Sequence, residues 1–522
     1  MLLKETEVKL DLTQGASHSL KNLGVVYLSL YLNHNKFHLR TSETTAGILK
    51  TPGCQTENVH VSGLANTARH LILLIDKKHP LLGHHAGCLS GTKEVSPWTN
   101  ILEITFPVAL AAANSVTQLQ STLGFLKETL NTPFIGHNAR KIRQEAVKLG
   151  VLPEHGVLSH DDWMALPVIR RFVHGLHLGA TDIILFGMIS AKLHTLGVHV
   201  SQFQSEDNLV KKWFDRMLDL TKIVEGEFSH FLNENFVVEL DDYSSLSVSE
   251  MIQSSSKDTM SCEKDGSVDD SVLVKMEKIS EDFVYHELDD TPVSWDSLND
   301  LLKPQRNSAN NTNKMHQLKS ILAGVHLCVR ELKLRNLPQI RIVDFCSGAG
   351  HLGIFLAHNF PDCQVMLIET KWGSLRYAKE RIDKLGLTNV TLCLAHMEQF
   401  IGSFELGVSL HACGSATDLV LRHCVRSNAA VVSSPCCYGK IVDSNDLKYP
   451  KSKSFRNVIH DHEDFFKVSR LADHQSNAEN FMKCIDIDRI RHLQDCGYKF
   501  VSISKLKPLT CSPKNNLIVA VK

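Results

Sequence analysis

The chain has 522 residues, of which 43% are hydrophobic and 22% are charged, and its formal net charge is −1. At about 150 residues per domain, this length predicts two to four domains. No apolar run approaches the ~18 residues that span a bilayer, and the opening sequence MLLKETEVKLDL has no secretory apolar core. With fourteen scattered cysteines, typical of reduced thiols, this predicts a cytosolic or nuclear protein without membrane association. We take a cytoplasmic location as the prediction.

Charge divides the chain into two folded parts and a linker. Residues 241–300 hold sixteen acidic residues, four lysines and thirteen serines, a composition that buries little apolar surface. Residues 301–522 hold thirty basic and nineteen acidic residues. Such a balance permits a polyanionic substrate, although a solvated basic surface explains it equally well. We therefore predict an acidic, serine-rich flexible linker over 241–310 and a carboxyl-terminal domain over 311–522.

The first 240 residues are predicted to be mainly helical from Leu64 onward. Val25–Leu32 reads as a strand. After it, apolar residues recur at helical spacing in Leu64–Leu74, Trp98–Ala112, Val116–Leu130, His137–Leu149, Asp182–Leu196 and Val210–Leu220. Asp182 follows Gly179-Ala180-Thr181 and is expected in a first helical turn, where its charge suits the helix dipole.

The carboxyl-terminal domain alternates strands with helices. Strands are predicted at Ile340–Cys346, Cys363–Glu369, Asn389–His396, Leu406–Cys413, Ala429–Cys436, Lys499–Lys505 and Leu517–Val521. Helices are predicted at His351–Asn359, Trp372–Leu385, Ala416–Ser427 and Cys484–Cys496. This alternation predicts an α/β fold, a Rossmann-like seven-stranded and mostly parallel sheet covered on both faces.

The first of these strands runs into a glycine-rich turn. Val343–Gly353 contains Gly348, Gly350 and Gly353, which match GxGxxG. The motif alone is weak. Here a strand precedes it and a helix follows it, which is the context in which glycines let a backbone approach a ligand.

Two ligands compete for this turn, a dinucleotide and S-adenosylmethionine; a turn that binds nothing is the third interpretation. Asp344 lies four residues before Gly348, where a carboxylate would repel a pyrophosphate. It would attract the ammonium of S-adenosylmethionine by roughly 4 kcal/mol at ~4 Å and an effective dielectric of ~20. Glu369 suits ribose hydroxyls of either ligand. We predict S-adenosylmethionine as the cofactor, held by Asp344, Cys346, Gly348, Gly350, Glu369, His396 and Met397.

Two further loops follow strands of the same sheet, Leu410–Asp418 and Ser434–Gly439. His411 has a pKa range suited to removing a proton during methyl transfer, and Cys436 or Cys437 could attack a pyrimidine ring. Buried small thiols and a loop-bound histidine are the structural alternatives. A metal site is a third hypothesis, but the absence of CxxC spacing leads us to predict none. The catalytic candidates are His411, Cys413, Cys436 and Cys437.

An insert over 440–480 interrupts the alternation before the last helix. It mixes seven lysines and arginines with aromatic residues, as proteins that bind phosphates and stack on bases do. A partly solvated lobe on the substrate side is the alternative interpretation.

Six segments carry a family resemblance: VDFCSGAGHLGI (343–354), SLHACGSATDLV (409–420), SPCCYG (434–439), CIDIDR (484–489), CGYKF (496–500) and SPKNNLIV (512–519). With KEVSPWTNILEITFPVAL (93–110), they resemble the glutathione S-transferase C-terminal domain-containing proteins. The resemblance implies a degenerate thioredoxin-like remnant over 1–63, a transferase-type helical domain over 64–240 and a methyltransferase domain over 311–522. HACGSATD followed by two cysteines is also similar, more weakly, to a tRNA 2′-O-methyltransferase family.

The sequence departs from these families in two places. Glutathione transferases bind the glutamyl group with a Glu-Ser pair, where this chain has Ser62-Gly63 before Leu64, so we expect neither glutathione binding nor glutathione transferase activity. His396 stands where the related methyltransferases often carry Asn or Asp, which changes the expected contact with adenine.

The function predicted from the sequence is S-adenosylmethionine-dependent methyl transfer to RNA, such as a tRNA-like substrate. The helical domain is a candidate docking site for a protein partner. The alternative is a non-catalytic scaffold that binds cofactor or RNA, because the Asp/Asn-Pro-Pro-Tyr and Lys-Asp-Lys-Glu signatures of other methyltransferases are absent from the sequence.

Overall fold

The chain forms two compact units, an amino-terminal unit mainly from residues 1–261 and a carboxyl-terminal unit mainly from residues 262–522. The structure, a computed structural model, describes residues 9–11, 20–32, 40–41, 53–56, 59–75, 81, 102, 106–131, 146–148, 170–173, 176–233, 274, 276, 278, 283–289, 299–303, 308–335, 337, 339–444, 447–474 and 478–522. Most of the predicted linker, most of the predicted helix 137–149 and most of segment 93–110 lie outside these residues. None of the described helices is long and apolar enough to cross a bilayer.

The amino-terminal unit begins with short strands around one helix. Its first elements are β1 (Lys9–Asp11), α1 (Leu20–Leu32), β2 (Arg40–Thr41), β3 (Gly53–Thr56), β4 (Val59–Ser62) and α2 (Leu64–Ile75). Strand β1 pairs in parallel with β2 and antiparallel with β3. The thioredoxin-like remnant and the boundaries at 63 and 240 stay predictions.

The predicted strand Val25–Leu32 is wrong, because these residues lie in helix α1. Val25, Val26, Tyr27 and Leu28 are all fully buried. A segment buried on every side shows no polar positions, so its periodicity cannot distinguish a strand from a core helix.

Helices also make up most of the remaining residues that the structure describes in this unit, as predicted. Its described helices are α3 (Phe106–Ala112), α4 (Val116–Thr122), α5 (Gly124–Asn131), α6 (Ala180–Thr195) and α7 (Asn208–Asn233). The single helix predicted over 116–130 is interrupted at Leu123, which caps α4. Asp182 lies in the first turn of α6 as predicted, and its buried carboxylate accepts hydrogen bonds from Gly179 N, Val173 N and Trp213 Nε1.

Tyr27 illustrates how α1 is fixed in this core. Its hydroxyl donates to Glu225 Oε2 (3.0 Å) in α7, and Ser190 Oγ of α6 donates to Glu225 Oε1 (3.1 Å). Burial raises the pKa of the Tyr27 hydroxyl. Tyr27 therefore helps to join three helices, because its ring also contacts Phe186 of α6.

The carboxyl-terminal unit is built mainly on seven described strands. These are β5 (Arg341–Phe345), β6 (Gln364–Glu369), β7 (Val390–Leu394), β8 (Leu406–Cys413), β9 (Ala430–Cys436), β10 (Phe500–Lys505) and β11 (Asn516–Val521). Their spatial order is β10-β11-β9-β8-β5-β6-β7. The five neighbouring strands β7, β6, β5, β8 and β9 are parallel to one another, whereas β11 runs antiparallel to both β9 and β10. The predicted mostly parallel sheet is thus confirmed. The predicted count of seven strands is short by one, because β4, whose residues Val59 and His60 belong to this unit, lies next to β7.

Helices connect these strands. They are α9 (His351–Asn359), α10 (Trp372–Leu385), α11 (Ser415–Ser427), α12 (Lys453–Arg456), α13 (His462–His474) and α14 (Ala478–Asp495). Strand order reverses between β5 and β8, the place where open α/β sheets form a ligand crevice at the carboxyl ends of the strands.

One long helix before β5 was not predicted. Helix α8 (Ser308–Lys333) packs against β9 and β11. Gly324 allows this contact, since a Cβ there would lie 3.1 Å from Val432 Cγ1 and 3.2 Å from Val519 Cγ2. The first residues of this helix, SANNTNK, are polar and follow the acidic segment. Its apolar face begins only at Leu318, so the sequence pattern does not reveal where the helix begins.

The buried aromatic residues of the insert over 440–480 belong to the same hydrophobic core as the sheet. Tyr449, Phe455 and Phe465, with Tyr438 just before the insert, are each at most 2% exposed, so these four rings are not available to stack on bases. The lysines and arginines of the insert differ in their exposure to solvent. Lys451 is buried, whereas the exposed ones are Lys440, Lys448, Lys453, Arg456 and Arg470. A partly solvated lobe is the better description.

Candidate functional site

Four loops of the carboxyl-terminal unit meet at the carboxyl edge of its sheet. They follow β5, β6, β8 and β9, which are neighbours in the sheet. Because these strands are parallel, their ends lie side by side. The predicted cofactor turn and both predicted catalytic loops are therefore brought together.

The three glycines of the turn after β5 have different roles. Gly348 has φ +57°, and a Cβ built there would meet nothing within 4 Å. Gly350 has φ +73° and precedes α9. A Cβ on Gly353 would lie 2.6 Å from Leu367 Cδ1 and 3.0 Å from Asp344 Oδ2. Gly348 thus leaves open space, whereas Gly353 lets α9 pack closely against β6.

Asp344 lies beneath this turn rather than on its surface. Its side chain is 1% exposed, and its Oδ2 accepts a hydrogen bond from Gly353 N (2.9 Å) in the first turn of α9. Burial raises the pKa of this carboxyl to about 7, against the lowering effects of Gly353 N–H and Lys314, while Glu369 adds to the rise. A pyrophosphate would bind at the amino terminus of α9, where the side chain of Asp344 already accepts the Gly353 N–H.

Glu369 is the more accessible acid of the site. Its Oε2 accepts from Gly348 N (2.8 Å), and its Oε1 accepts from Thr370 N (2.8 Å) and Lys371 N (2.9 Å). These backbone donors hold the carboxylate at the end of β6. Thr370 Oγ1 also donates to Oε1 (3.1 Å). These four donors fill the roughly four acceptor sites of a carboxylate, so a ribose hydroxyl would bind by replacing the Thr370 hydroxyl.

Cys346 occupies a backbone conformation normally reserved for glycine, with φ +58°. Burial, followed by the charges of Glu369 and Asp344, raises the pKa of its thiol to about 12. The thiol is therefore neutral and lies near two carboxyls. His396 and Met397 follow β7: His396 is exposed, whereas Met397 is 8% exposed and caps the cluster around Phe400.

The arrangement fits S-adenosylmethionine. The space over Gly348 is open, Glu369 is held beside it, and two carboxyls give the turn the charge that suits a cationic ligand. The assignment of individual residues to the cofactor stays a prediction, in which Asp344 would act from beneath the turn.

His411 has a partner that the sequence does not reveal. Its Nε2 lies 3.0 Å from Gln317 Oε1, and Gln317 Nε2 donates to Cys511 O (2.9 Å). Because the amide nitrogen is used as the donor to a carbonyl, the amide oxygen faces His411. A neutral His411 then carries its proton on Nε2 and its lone pair on Nδ1. Gln317 comes from α8, so its proximity to His411 depends on that helix.

Three thiols gather where β8 and β9 end. Cys413 is exposed, Cys437 is half-buried and Cys436 is buried. Their sulfur atoms lie within 4.8 Å of one another, and Cys413 Sγ is 3.1 Å from Cys436 Sγ. Burial, then contact with Cys413, raises the pKa of both Cys436 and Cys437. Raised thiol pKa values disfavour the predicted attack on a pyrimidine ring.

The backbone at these loops is held in an uncommon conformation. Among the described residues, the non-glycine positions with positive φ are Cys346, His411, Cys437 and Asn428. The first three belong to the site, and Asn428 ends α11. Such conformations cost about 1–3 kcal/mol each and persist where the surrounding structure enforces them.

A buried ionic network fixes the loop after β9. Arg489 of α14 pairs with Asp418 (Nη2–Oδ2, 2.8 Å) and Asp486 (Nη1–Oδ1, 3.0 Å), and all three side chains are at most 2% exposed. Tyr438 and Asn516 also donate to Asp486 Oδ2 (2.6 and 2.7 Å). The motifs HACGSATD, SPCCYG, CIDIDR and SPKNNLIV thus meet in one network, and their polar residues mainly support the site.

Comparison with known proteins agrees with this architecture. Residues 313–444 match the family model described as a methyltransferase domain. This range runs from α8 to the loop after β9 and includes the glycine turn, His411 and the three thiols. The predicted Rossmann-like methyltransferase domain, with S-adenosylmethionine as its cofactor, is confirmed.

Relatives cover both units. The human glutathione S-transferase C-terminal domain-containing protein is 28% identical, over 90% of this chain and 85% of its own length. The Drosophila melanogaster homolog of that protein is 26% identical, over 96% and 92%. The resemblance inferred from the sequence motifs is confirmed.

Two further similarities cover smaller parts of the chain. The ribosomal RNA small subunit methyltransferase G of Vibrio campbellii is 30% identical over 114 residues, 21% of this chain and 54% of that protein. A crystal structure of the magnesium protoporphyrin IX methyltransferase of Synechocystis with bound SAM aligns with 50% of this chain and all of that one, at 11% identity and a TM-score of 0.27.

Proposed function

We propose that the carboxyl-terminal unit transfers a methyl group from S-adenosylmethionine to RNA. The observation that carries methyl transfer is the placement of His411 and the exposed Cys413 at the end of β8, beside the glycine turn after β5. The cofactor, when bound, supplies an electrophilic methyl group on a sulfonium. An acceptor over β8 would then lie between that methyl group and His411.

His411 is the proposed base in this reaction. The hydrogen bond to Gln317 Oε1 holds the imidazole ring in place. As the acceptor's oxygen or nitrogen forms its bond to the methyl carbon, the methyl–sulfur bond would break, the sulfonium would leave as a neutral thioether, and the acceptor's proton would pass to the imidazole of His411. Positioning of the two reactants supplies most of the remaining rate enhancement.

RNA is proposed as the acceptor on two grounds. Residues 301–522 carry an excess of eleven positive charges, and two lysines, Lys314 and Lys440, are close enough to the site for their charges to act on Asp344 and Cys437. A part of the chain is also similar to a ribosomal RNA methyltransferase. Binding to a polyanion through such cations falls with salt.

The test is transfer of labelled methyl from S-adenosylmethionine by the full-length chain. Total RNA, total protein and a small-molecule extract serve as separate acceptors, with His411→Asn as the inactive control. Label in RNA that depends on His411 supports the proposal, and RNA crosslinked in cells and sequenced then identifies the site. Label only in protein or small molecules contradicts RNA as the acceptor.

The non-catalytic scaffold remains the second candidate, favoured by the absence of the two signature sequences. It predicts cofactor or RNA binding with no methyl incorporation in any acceptor class. We also propose that the helical amino-terminal unit docks a protein partner and that the protein is cytoplasmic. Affinity capture with residues 1–240 deleted and imaging of the tagged full chain test these two points.

A further inference from the structure

We propose that Cys413, Cys436 and Cys437 form a binding site for a thiophilic metal ion, with Zn²⁺ as the representative ion. Spacing along the chain argued against a metal site, because Cys413 and Cys436 are 23 residues apart. The sheet removes this objection. The Cα atoms of Cys413 and Cys436 are partners in the parallel β8–β9 ladder, and Cys437 follows directly.

The distances suit metal binding. All three sulfur atoms lie within 4.8 Å of one another. With zinc–sulfur bonds of about 2.3 Å, sulfur ligands of a tetrahedral site lie roughly 3.8 Å apart. The three thiols therefore need to move by no more than about an ångström to become ligands. Three sulfur donors select a soft ion rather than Mg²⁺ or Ca²⁺.

Contacts of the surrounding backbone and of Asp473, as well as contacts among the thiols, hold the cluster in place. Gly414 N donates to Cys436 O (3.0 Å), and a Cβ on Gly414 would lie 2.4 Å from Lys440 O. The loops after β8 and β9 are therefore in direct backbone contact. Asp473 accepts from Tyr438 N (3.1 Å) and Gly439 N (2.8 Å), which fixes the turn that follows Cys437.

Cys437 is the residue whose geometry most specifically favours a site. Its φ of +49° is unusual for a side-chain-bearing residue. In this conformation its sulfur lies in the same cluster as the other two. A thiol that served only as a small core hydrophobe would not require this conformation, and Cys437 is only half-buried.

The exposure of Cys413 and the positive charge of Lys440 also favour a metal site. Cys413 is exposed, so an ion can enter and one coordination position can remain open, as in zinc sites with three protein ligands. Binding breaks three S–H bonds, releases three protons to the solvent and forms three metal–sulfur bonds, with no electron transfer. The resulting negative charge lies near Lys440.

A disulfide between Cys413 and Cys436 is the competing use of these thiols. Their sulfur separation of 3.1 Å exceeds the covalent length of about 2.05 Å. A disulfide would also leave Cys437 without a role for its strained backbone. The metal site uses all three thiols.

The experiment titrates Co²⁺ and then Zn²⁺ into the full-length, chelator-treated and reduced chain under anaerobic conditions. We expect one Co²⁺ per chain with thiolate-to-cobalt charge-transfer absorption, displacement by Zn²⁺, and proton release detected in buffers of different ionisation enthalpy. Cys413→Ser and Cys437→Ser should each raise the Zn²⁺ Kd by on the order of 100-fold. Cys496→Ser, a half-buried thiol at the end of α14, is the matched control and should change nothing.

Because Cys413 is exposed, Cys413→Ser does not disturb the core, and hydrogen exchange of β8 and β9 verifies the fold of each variant. The proposal is overturned by absence of thiolate absorption, by absorption that persists in both variants, or by a Cys413–Cys436 disulfide found by mass spectrometry in place of metal binding. None of these readouts depends on methyl transfer, so this proposal and the proposed reaction can fail separately.

Discussion

Gln317 and His411 are joined by a hydrogen bond of 3.0 Å between Gln317 Oε1 and His411 Nε2, although they lie 94 residues apart in the chain. The carboxamide is itself fixed by its bond to Cys511 O. A residue of the helix before the sheet thus decides which nitrogen of His411 carries the proton. In the proposed reaction, Gln317 would act as a positioning residue through His411.

Replacing Gln317 tests this role. Gln317→Leu should lower kcat by about tenfold or more while the KM for S-adenosylmethionine stays unchanged, since only the orientation of the base is lost. Gln317→Glu should shift the rising limb of the kcat–pH profile to higher pH, because a carboxylate beside Nε2–H raises the pKa of His411. Steady-state kinetics measure both. Gln494→Leu, an exposed glutamine of α14, is the control, and a Gln317→Glu profile identical to the native one contradicts the prediction.

Gly348 and Gly353 should respond differently to the same substitution. Gly348→Ala places a methyl group in open space at φ +57°, so it should cost only about 1–2 kcal/mol of stability but raise the Kd for S-adenosylmethionine by about tenfold. Gly353→Ala should destabilise the unit by about 1–3 kcal/mol through contact with Leu367. Calorimetry measures affinity, and hydrogen exchange of β5 and β6 measures stability. Equal binding by Gly348→Ala and the native chain would place the cofactor elsewhere.

Asp344 should make cofactor binding depend on pH. Burial raises the pKa of its carboxyl from 3.8 to about 7. The folded state therefore binds the extra proton between these values, and the stability that this group contributes falls as pH rises from about 4 to about 7. Binding of an ammonium favours the ionised form, so affinity for S-adenosylmethionine should rise from about pH 6 to about pH 8.

Calorimetry of the native chain and of Asp344→Asn over this pH range measures the effect. The asparagine keeps an oxygen for Gly353 N–H but cannot ionise, so its affinity should be weaker and flat with pH. If the native affinity is equally flat, Asp344 supports the turn without acting on the charge of the cofactor.

Arg489 should be among the costliest positions to change in this unit. Arg489→Leu leaves Asp418 and Asp486 buried without their cation, which should cost about 3–5 kcal/mol. Arg491→Leu, on the same helix but only half-buried, should cost far less. Denaturant-dependent hydrogen exchange in peptides of β8, β9 and α14 compares the two. Similar losses in both variants would show that helix packing, not the ion network, carries the stability.

The sequence by itself determined the sheet of the carboxyl-terminal unit and the location of its cofactor turn. The parallel strands are rich in apolar residues because they are buried on both faces, and the glycines mark the turn because few other residues tolerate its backbone angles. These signals are local, so one sequence carries them. The same local reasoning failed at Val25–Leu32, where burial on every side removed the periodicity that separates helix from strand.

Only the tertiary structure decided which side chains meet. It placed the Asp344 carboxylate under Gly353 rather than facing the ligand, joined Gln317 to His411, and buried aromatic residues of the insert in the hydrophobic core. It also gathered Cys413, Cys436 and Cys437 into one cluster. The physical reason is common to all four. Strand order and helix packing bring together residues far apart in sequence, and no local pattern of residues records those distances.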